Sequence, residues 1–133
     1  VPIYLCDTNI VSEIMRREPD PAVLSWFRSQ DSVALSAIVL EELVFGLRRK
    51  ALYEKEAWLR RFVAKACVVH PVEAADAFWA AEKRGQLSAA GRTVHQADAL
   101  IAAAAWRNGL VLATRNVRDF DGFGIALLDP FAS

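Results

Sequence analysis

Little in this chain of 133 residues suggests a cross-linked or membrane-bound protein. It holds two cysteines, Cys6 and Cys67, both in apolar strand-like runs and without the spacing of a zinc site. Such cysteines predict buried, reduced thiols rather than a disulfide scaffold. An excess of either charge is also missing, because 16 Lys and Arg balance 16 Asp and Glu. That excludes avid nonspecific binding of nucleic acid, which needs surplus bases. It leaves room for a local basic surface around an acidic pocket. No apolar run reaches the roughly 18 residues needed to span a bilayer. The first apolar run has no basic residue ahead of it and stops at Asp7, unlike a secretory leader. The expected location is therefore cytoplasmic, without membrane contact. No repeat, low-complexity segment or linker divides the chain, and the length predicts one domain over residues 1–133.

What the chain does have is alternation. Apolar runs at residues 3–6, Val33–Ser36, Cys67–Val69, Leu110–Thr114 and Ile125–Leu128 read as strands. Between them, helical spacing covers Ile10–Met15, Pro21 to about Gln30, Ile38–Lys50, Leu52–Lys65, Val72–Arg84 and Gln96–Asn108. Asp20-Pro21 supplies a cap with proline at the first helical position, and Gly109 closes the last helix. Residues 85–92 read as a loop. Strands alternating with helices predict an α/β fold, a three-layer α/β/α sandwich around a central, mostly parallel sheet of about four or five strands.

Four acids then stand out. Asp7 ends the first apolar run, and in open parallel sheets the carboxyl ends of strands are where ligands bind. Asp98 lies in the first turn of a helix that is apolar almost all round, with Ile101, Ala102 and Ala105 on its own face. The helix dipole favours an acid there by about 0.3–1 kcal/mol. That is too little to offset burial of an unpaired charge, so a cation or a wet cleft is expected beside it. Glu42 lies off the Leu40, Leu43, Val44 and Leu47 stripe of its helix, one turn before Gly46, which leaves space beside the carboxylate. Its neighbour Glu41 reads as a surface acid. Asp119 follows the Leu110–Thr114 strand in a turn that also holds Asn116 and Asp121, and turn chemistry alone does not rank the three.

Carboxylates converging in one pocket repel one another, and without a cation some take up protons. A hard divalent ion with oxygen ligands is the simple remedy. Such a site suits metal-assisted attack of water on a phosphodiester. No Ser or Cys nucleophile with a base partner is evident. His70 reads as structural, and His95 as a helix-cap residue or a substrate contact.

Four segments also resemble a known family: Leu5-Cys6-Asp7-Thr8-Asn9-Ile10-Val11-Ser12-Glu13, Leu40-Glu41-Glu42-Leu43-Val44-Phe45-Gly46, Ala97-Asp98-Ala99-Leu100-Ile101-Ala102 and Ala113-Thr114-Arg115-Asn116-Val117-Arg118-Asp119-Phe120. In this order and spacing they are similar to those of PIN-domain ribonuclease toxins of type II toxin–antitoxin modules, the VapC/FitB-like group. The resemblance implies a PIN-like fold and a Mg²⁺- or Mn²⁺-dependent endoribonuclease. It implies metal binding by Asp7, Glu42 and Asp98, with Asp119 as the fourth acid because Asn116 stands where some members carry one. Thr8, Thr114 and Asn116 match groups that support such sites. The resemblance further implies an RNA substrate, a homodimer or higher toxin–antitoxin assembly, and an antitoxin whose C-terminal segment covers the acidic pocket. Ile38, Phe45, Trp58, Leu59 and Phe62 are open to two readings, an interface or the chain's own core.

Three alternatives compete. A haloacid-dehalogenase-like phosphatase wants a second Asp two residues after the first, where Asn9 stands. A receiver-like domain wants an acid pair after the first strand and a lysine after a late one, and has neither. A PIN-like scaffold weakened at Asn116 would bind RNA or a partner without cutting.

Overall fold

The apolar runs pair into one five-stranded sheet in which every strand is parallel to its neighbours. The structure is a computed structural model that describes residues 2–132. In chain order the elements are β1 (Tyr4–Cys6), α1 (Thr8–Ile14), α2 (Pro21–Arg28), β2 (Val33–Ser36), α3 (Ala37–Arg49) and α4 (Tyr53–Ala66). They continue as β3 (Cys67–His70), α5 (Ala74–Ala89), α6 (Gln96–Asn108), β4 (Val111–Ala113), a 3₁₀ turn (Val117–Phe120) and β5 (Leu127–Leu128). The strand order is β3-β2-β1-β4-β5. The chain therefore builds outward from β1 in one direction, then returns to add β4 on its other side. Right-handed crossovers put the intervening helices on opposite faces when the direction reverses. Among the helices, α1 meets α2 and α3, α3 meets α4, and α5 packs on α6, while α3 also meets α6. None of the described helices is long and apolar enough to cross a membrane.

The reversal point is what matters for the site. β1 and β4 are neighbours, in register from Tyr4 beside Val111 to Cys6 beside Ala113. Asp7 continues the ladder by donating its N–H to the Ala113 carbonyl at 2.9 Å. Leu5, Cys6, Leu35, Leu112 and Ala113 are all fully buried beneath it. The small side chains of α6, Ala99 and Ala102–Ala105, are buried and let that helix lie close against the sheet. Gly109 ends α6 in the left-handed conformation, with φ 63°.

Two sequence expectations change. The stretch expected to be a loop from Gly85 is helix as far as Ala89. A glycine inside a helix costs about 1 kcal/mol, and here Leu87, packed against the core two residues later, helps offset it. The aromatic set assigned to an interface or a core is mostly core. Leu59 is buried, and Trp58 stacks on Phe62, which packs against Phe27. Phe45 alone of that set is exposed. Both cysteines are free thiols, and burial pushes that of Cys67 up to about 12.

Three buried acids prove to be structural. Glu13 pairs with Arg16, Glu56 with Arg48 and Arg60, and Asp76 with Arg107. Asp76 is the most enclosed, at 1% exposure, and takes two bonds from the Arg107 guanidinium at 2.6 and 3.1 Å while capping α5. Asp76→Ala is expected to cost about 2–4 kcal/mol, because it strands a half-enclosed guanidinium and removes the cap. Urea unfolding checks this, and a loss too small to measure would contradict the assignment.

Candidate active site

Asp7 is the fixed point of the site. It caps α1, accepting from the Thr8 amide at 2.8 Å through one oxygen. Its other oxygen accepts from the Thr114 hydroxyl at 2.8 Å and the Asn9 amide at 3.2 Å. These bonds come from both strand ends, so the carboxylate is held where β1 meets β4. Burial raises its pKa and the nearby Glu42 adds to this, while the bonds from Thr114, Thr8 and Asn9 oppose.

Glu42 approaches from α3. Ser36 ends β2 and caps this helix, its hydroxyl accepting from the Ile38 amide at 3.1 Å. Thr8 donates its hydroxyl to Glu42 at 2.7 Å. A cleft of about 410 Å³ opens beside it, walled by Thr8, Asn9, Ser12 and Gly46. A side chain at Gly46 would meet no atom within 4 Å, so the expected open space is there. Arg16, Arg49, Lys50, Lys55 and Arg115 edge the same cleft, which makes a local basic surface on a chain of zero net charge. Glu41 is exposed, as expected of a surface acid.

Asp98 and Asp119 face a second, smaller cleft of about 160 Å³, with His95 and Arg92. Asp98 is half-buried in the first turn of α6. Burial pushes its carboxyl up to about 6, with further contributions from the charges of Asp7, Asp119 and Glu42 and an opposing one from His95. Asp98 thus lies within electrostatic reach of the other three acids, and Asp7 within reach of Glu42. Asn116 and Asp119 are both exposed. Asn116 contributes its backbone N–H to the Thr114 hydroxyl at 3.0 Å, and it is Asp119 that lies beside Asp98.

The contrast with the rest of the molecule is electrostatic. Every ion pair among the described residues is made by Glu13, Glu56, Glu73 or Asp76. Asp7, Glu42, Asp98 and Asp119 make none. No three acids, histidines or cysteines among the described residues come together closely enough to hold a metal ion between them. An all-oxygen donor set of this open kind fits a hard ion that keeps most of its waters and takes one or two carboxylates directly.

The PIN domain family model matches residues 4–124. The chain belongs to the PIN domain family. VapC ribonuclease Y4jK of Sinorhizobium fredii is 32% identical over 137 residues, spanning 97% of this chain and 98% of that protein. Toxin FitB of Neisseria gonorrhoeae is 30% identical, spanning 97% and 99%. The crystal structure of DNA-bound VapBC from Salmonella typhimurium matches with a TM-score of 0.85 at 26% identity, over 98% of this chain and 99% of that one. PIN membership sets aside the phosphatase and receiver-like alternatives.

Within this PIN domain, Asn9 does more than its sequence position suggested. Its amide bonds Asp7 and, at 3.4 Å, the Thr114 hydroxyl, while its carbonyl oxygen accepts from the Arg115 backbone at 3.1 Å. It ties the loops after β1 and β4 together. The available signal was an amide two residues after a strand-end acid.

The Asp98 carboxyl titrates higher in the folded chain than its ordinary value of 3.8. Folding therefore favours the protonated form, and that stability is present below the ordinary value and lost as pH rises through about 6. In metal-free buffer Asp98→Asn is expected to raise Tm by about 2–4 °C near pH 7.5, after allowance for solvent screening, and by little near pH 4.5. Melting curves in EDTA at the two pH values test this. A loss of stability at the higher pH would show that Asp98 serves mainly to cap α6.

Proposed function

We propose that this chain is an endoribonuclease, the toxin of a toxin–antitoxin module, and that it hydrolyses RNA phosphodiester bonds with metal-activated water in the cytoplasm. The observation that carries the reading is the set of four acids without an ion-pair partner, three of them raising the Asp98 carboxyl, near the reversal point of a PIN sheet. Asp7, Glu42 and Asp98 are the proposed metal-holding residues, with Asp119 as the fourth acid. Mg²⁺ or Mn²⁺ bound by them would lower the pKa of a coordinated water and offset charge developing on the phosphate.

The chain's own contribution is placement. Thr8, Asn9 and Thr114 restrict the rotation of Asp7 and Glu42, so these carboxylates are held in place before any ligand arrives. Groups that orient ligating carboxylates in this way commonly matter 10- to 100-fold for affinity or activity. The basic edge formed by Arg49, Lys50, Lys55 and Arg115 lies where an RNA backbone would approach Glu42. An antitoxin would silence the site most directly by supplying the cation that the four acids lack, with a segment laid along the same cleft. Toxin FitB and the DNA-bound VapBC assembly support membership of such a module. A homodimer is the proposed state of the free chain.

Purified protein is expected to cut defined RNAs with Mn²⁺ or Mg²⁺ and to stop in EDTA. Asp7→Asn is expected to lower the rate by about 100-fold or more. Gel analysis of end-labelled RNA provides the measurement. Metal-independent cutting, or full activity in Asp7→Asn, would sink the mechanism. Binding of RNA without cutting would favour the weakened scaffold.

A further inference from the structure

Asp119 stands on a slender support. Its segment is a single 3₁₀ turn, whose hydrogen-bond geometry is poorer than that of an α-helix. Beneath it, Phe120 and Phe123 are each 1% exposed, their ring centres 6.1 Å apart, and Phe123 stacks on Trp79 at 5.9 Å. These anchors fix the apolar side of the turn. On the polar side, the side-chain bonds to the turn's backbone carbonyls among the described residues come from Arg92. Its guanidinium donates to the Arg118 carbonyl at 2.7 Å and, through the other terminal nitrogen, to the Asp121 carbonyl. The two carbonyls bracket Asp119.

Arg92 is itself well placed to transmit position. It lies between α5 and α6, and its backbone N–H donates to the Leu87 carbonyl at 2.8 Å at the end of α5. It shares the small cleft with both Asp98 and Asp119. Gly122 completes the seat: its φ is +94°, and a Cβ there would lie 3.1 Å from a Leu87 methyl and 3.3 Å from an Arg92 nitrogen. A side chain at residue 122 would crowd Leu87 and Arg92, so the glycine eases the close docking of the turn.

The choice of partners is informative. Arg92 neighbours several carboxylates yet makes no ion pair among the described residues. An arginine that neutralised the pocket would bond a carboxylate. One kept for RNA phosphate would hold its donors free. Here the bonds go to backbone carbonyls, and the Asp119 carboxylate stays without a basic partner.

Resting on the ribonuclease reading above, we infer that Arg92 is a positioning residue of the active site: it fixes the Asp119 turn against the start of α6 while leaving the Asp119 charge available. Loss of the clamp lets Asp119 drift relative to Asp98. Misplacement of this kind, about 1 Å, costs up to about 100-fold in rate.

The test uses the full chain with Mn²⁺ and a defined RNA, comparing wild type, Arg92→Ala, Arg92→Lys, Asp119→Asn and the Arg92→Ala/Asp119→Asn double variant. Arg92→Ala is expected to lower kcat about 10- to 100-fold with KM kept within about twofold. Arg92→Lys, which can still reach one carbonyl, should recover part of the loss. In the Asp119→Asn background, Arg92→Ala should cost little more. Amide hydrogen exchange, read without RNA, should quicken at residues 118–123 in Arg92→Ala while the centre of α6 stays protected. A raised KM with kcat retained, together with a weaker salt dependence, would overturn the inference in favour of direct phosphate contact. So would an equal penalty with and without Asp119, or unchanged exchange at 118–123. A wild-type chain that does not cut RNA at all would instead sink the nuclease reading, and with it the catalytic meaning of the clamp.

Discussion

The crowding of unpaired carboxylates around Asp98 is the constraint on which the site depends. Elsewhere in this molecule the rule for a buried acid is an arginine: Glu56 is gripped by Arg48 and Arg60, and its carboxyl is held down at about 2. At the carboxyl edge of β1 and β4 the rule is suspended. Burial and like charge drive the Asp98 carboxyl up to about 6 instead. Such an arrangement opposes folding, so it persists only because the surrounding core supports it. The chain carries that cost where a cation would relieve it.

The support comes from topology and then from small polar groups. Reversal of the strand order at β1 and β4 leaves a crevice, and Asp7 sits at its floor, bonded to both sides. The second turn of α3 brings Glu42 to one side, and the start of α6 brings Asp98 to the other. Thr8, Asn9 and Thr114 then set the carboxylate directions, and Arg92 holds the one turn that the core reaches only from below. None of these groups carries the chemistry. Each removes a freedom that would otherwise let the acids swing apart.

The most legible features in the sequence were those where local pattern and burial conflict. Asp98, on a helix apolar almost all round, is an acid that needs a reason; Glu42, taken alone, reads as an ordinary helix-surface glutamate and stands out only beside the other three segments. The alternation of strands and helices was equally plain, since period and capping residues mark it directly. Strand order was not legible, because nothing local tells β4 to pair with β1. The helix beyond Gly85 was misread because glycine is a poor helix former, and the packing of Leu87 helps offset it. Asp119 could not be ranked above Asn116, because the choice depends on which of them lies near Asp98, and that distance is tertiary. Arg92 and Asn9 are not legible as contributors for the same reason: their tertiary bonds reach across 26 residues or more, to the carbonyls around Asp119 in one case and to the loop after β4 in the other. Asp76, Glu13 and Glu56 are acids of the opposite kind, buried yet explained by arginines that only the fold brings near.

Cation binding by the unpartnered acids is tested most directly by the melting temperature of the free chain as Mn²⁺ is added, without RNA, beside the Asp7→Asn variant. A ligand that binds the folded state alone stabilises it by about 2.7 kcal/mol at a hundred times its Kd. The wild-type chain should therefore melt progressively higher with added Mn²⁺, and Asp7→Asn should respond far less. A wild-type melting temperature indifferent to Mn²⁺, or an equal rise in both proteins, would contradict a metal site built on these four acids.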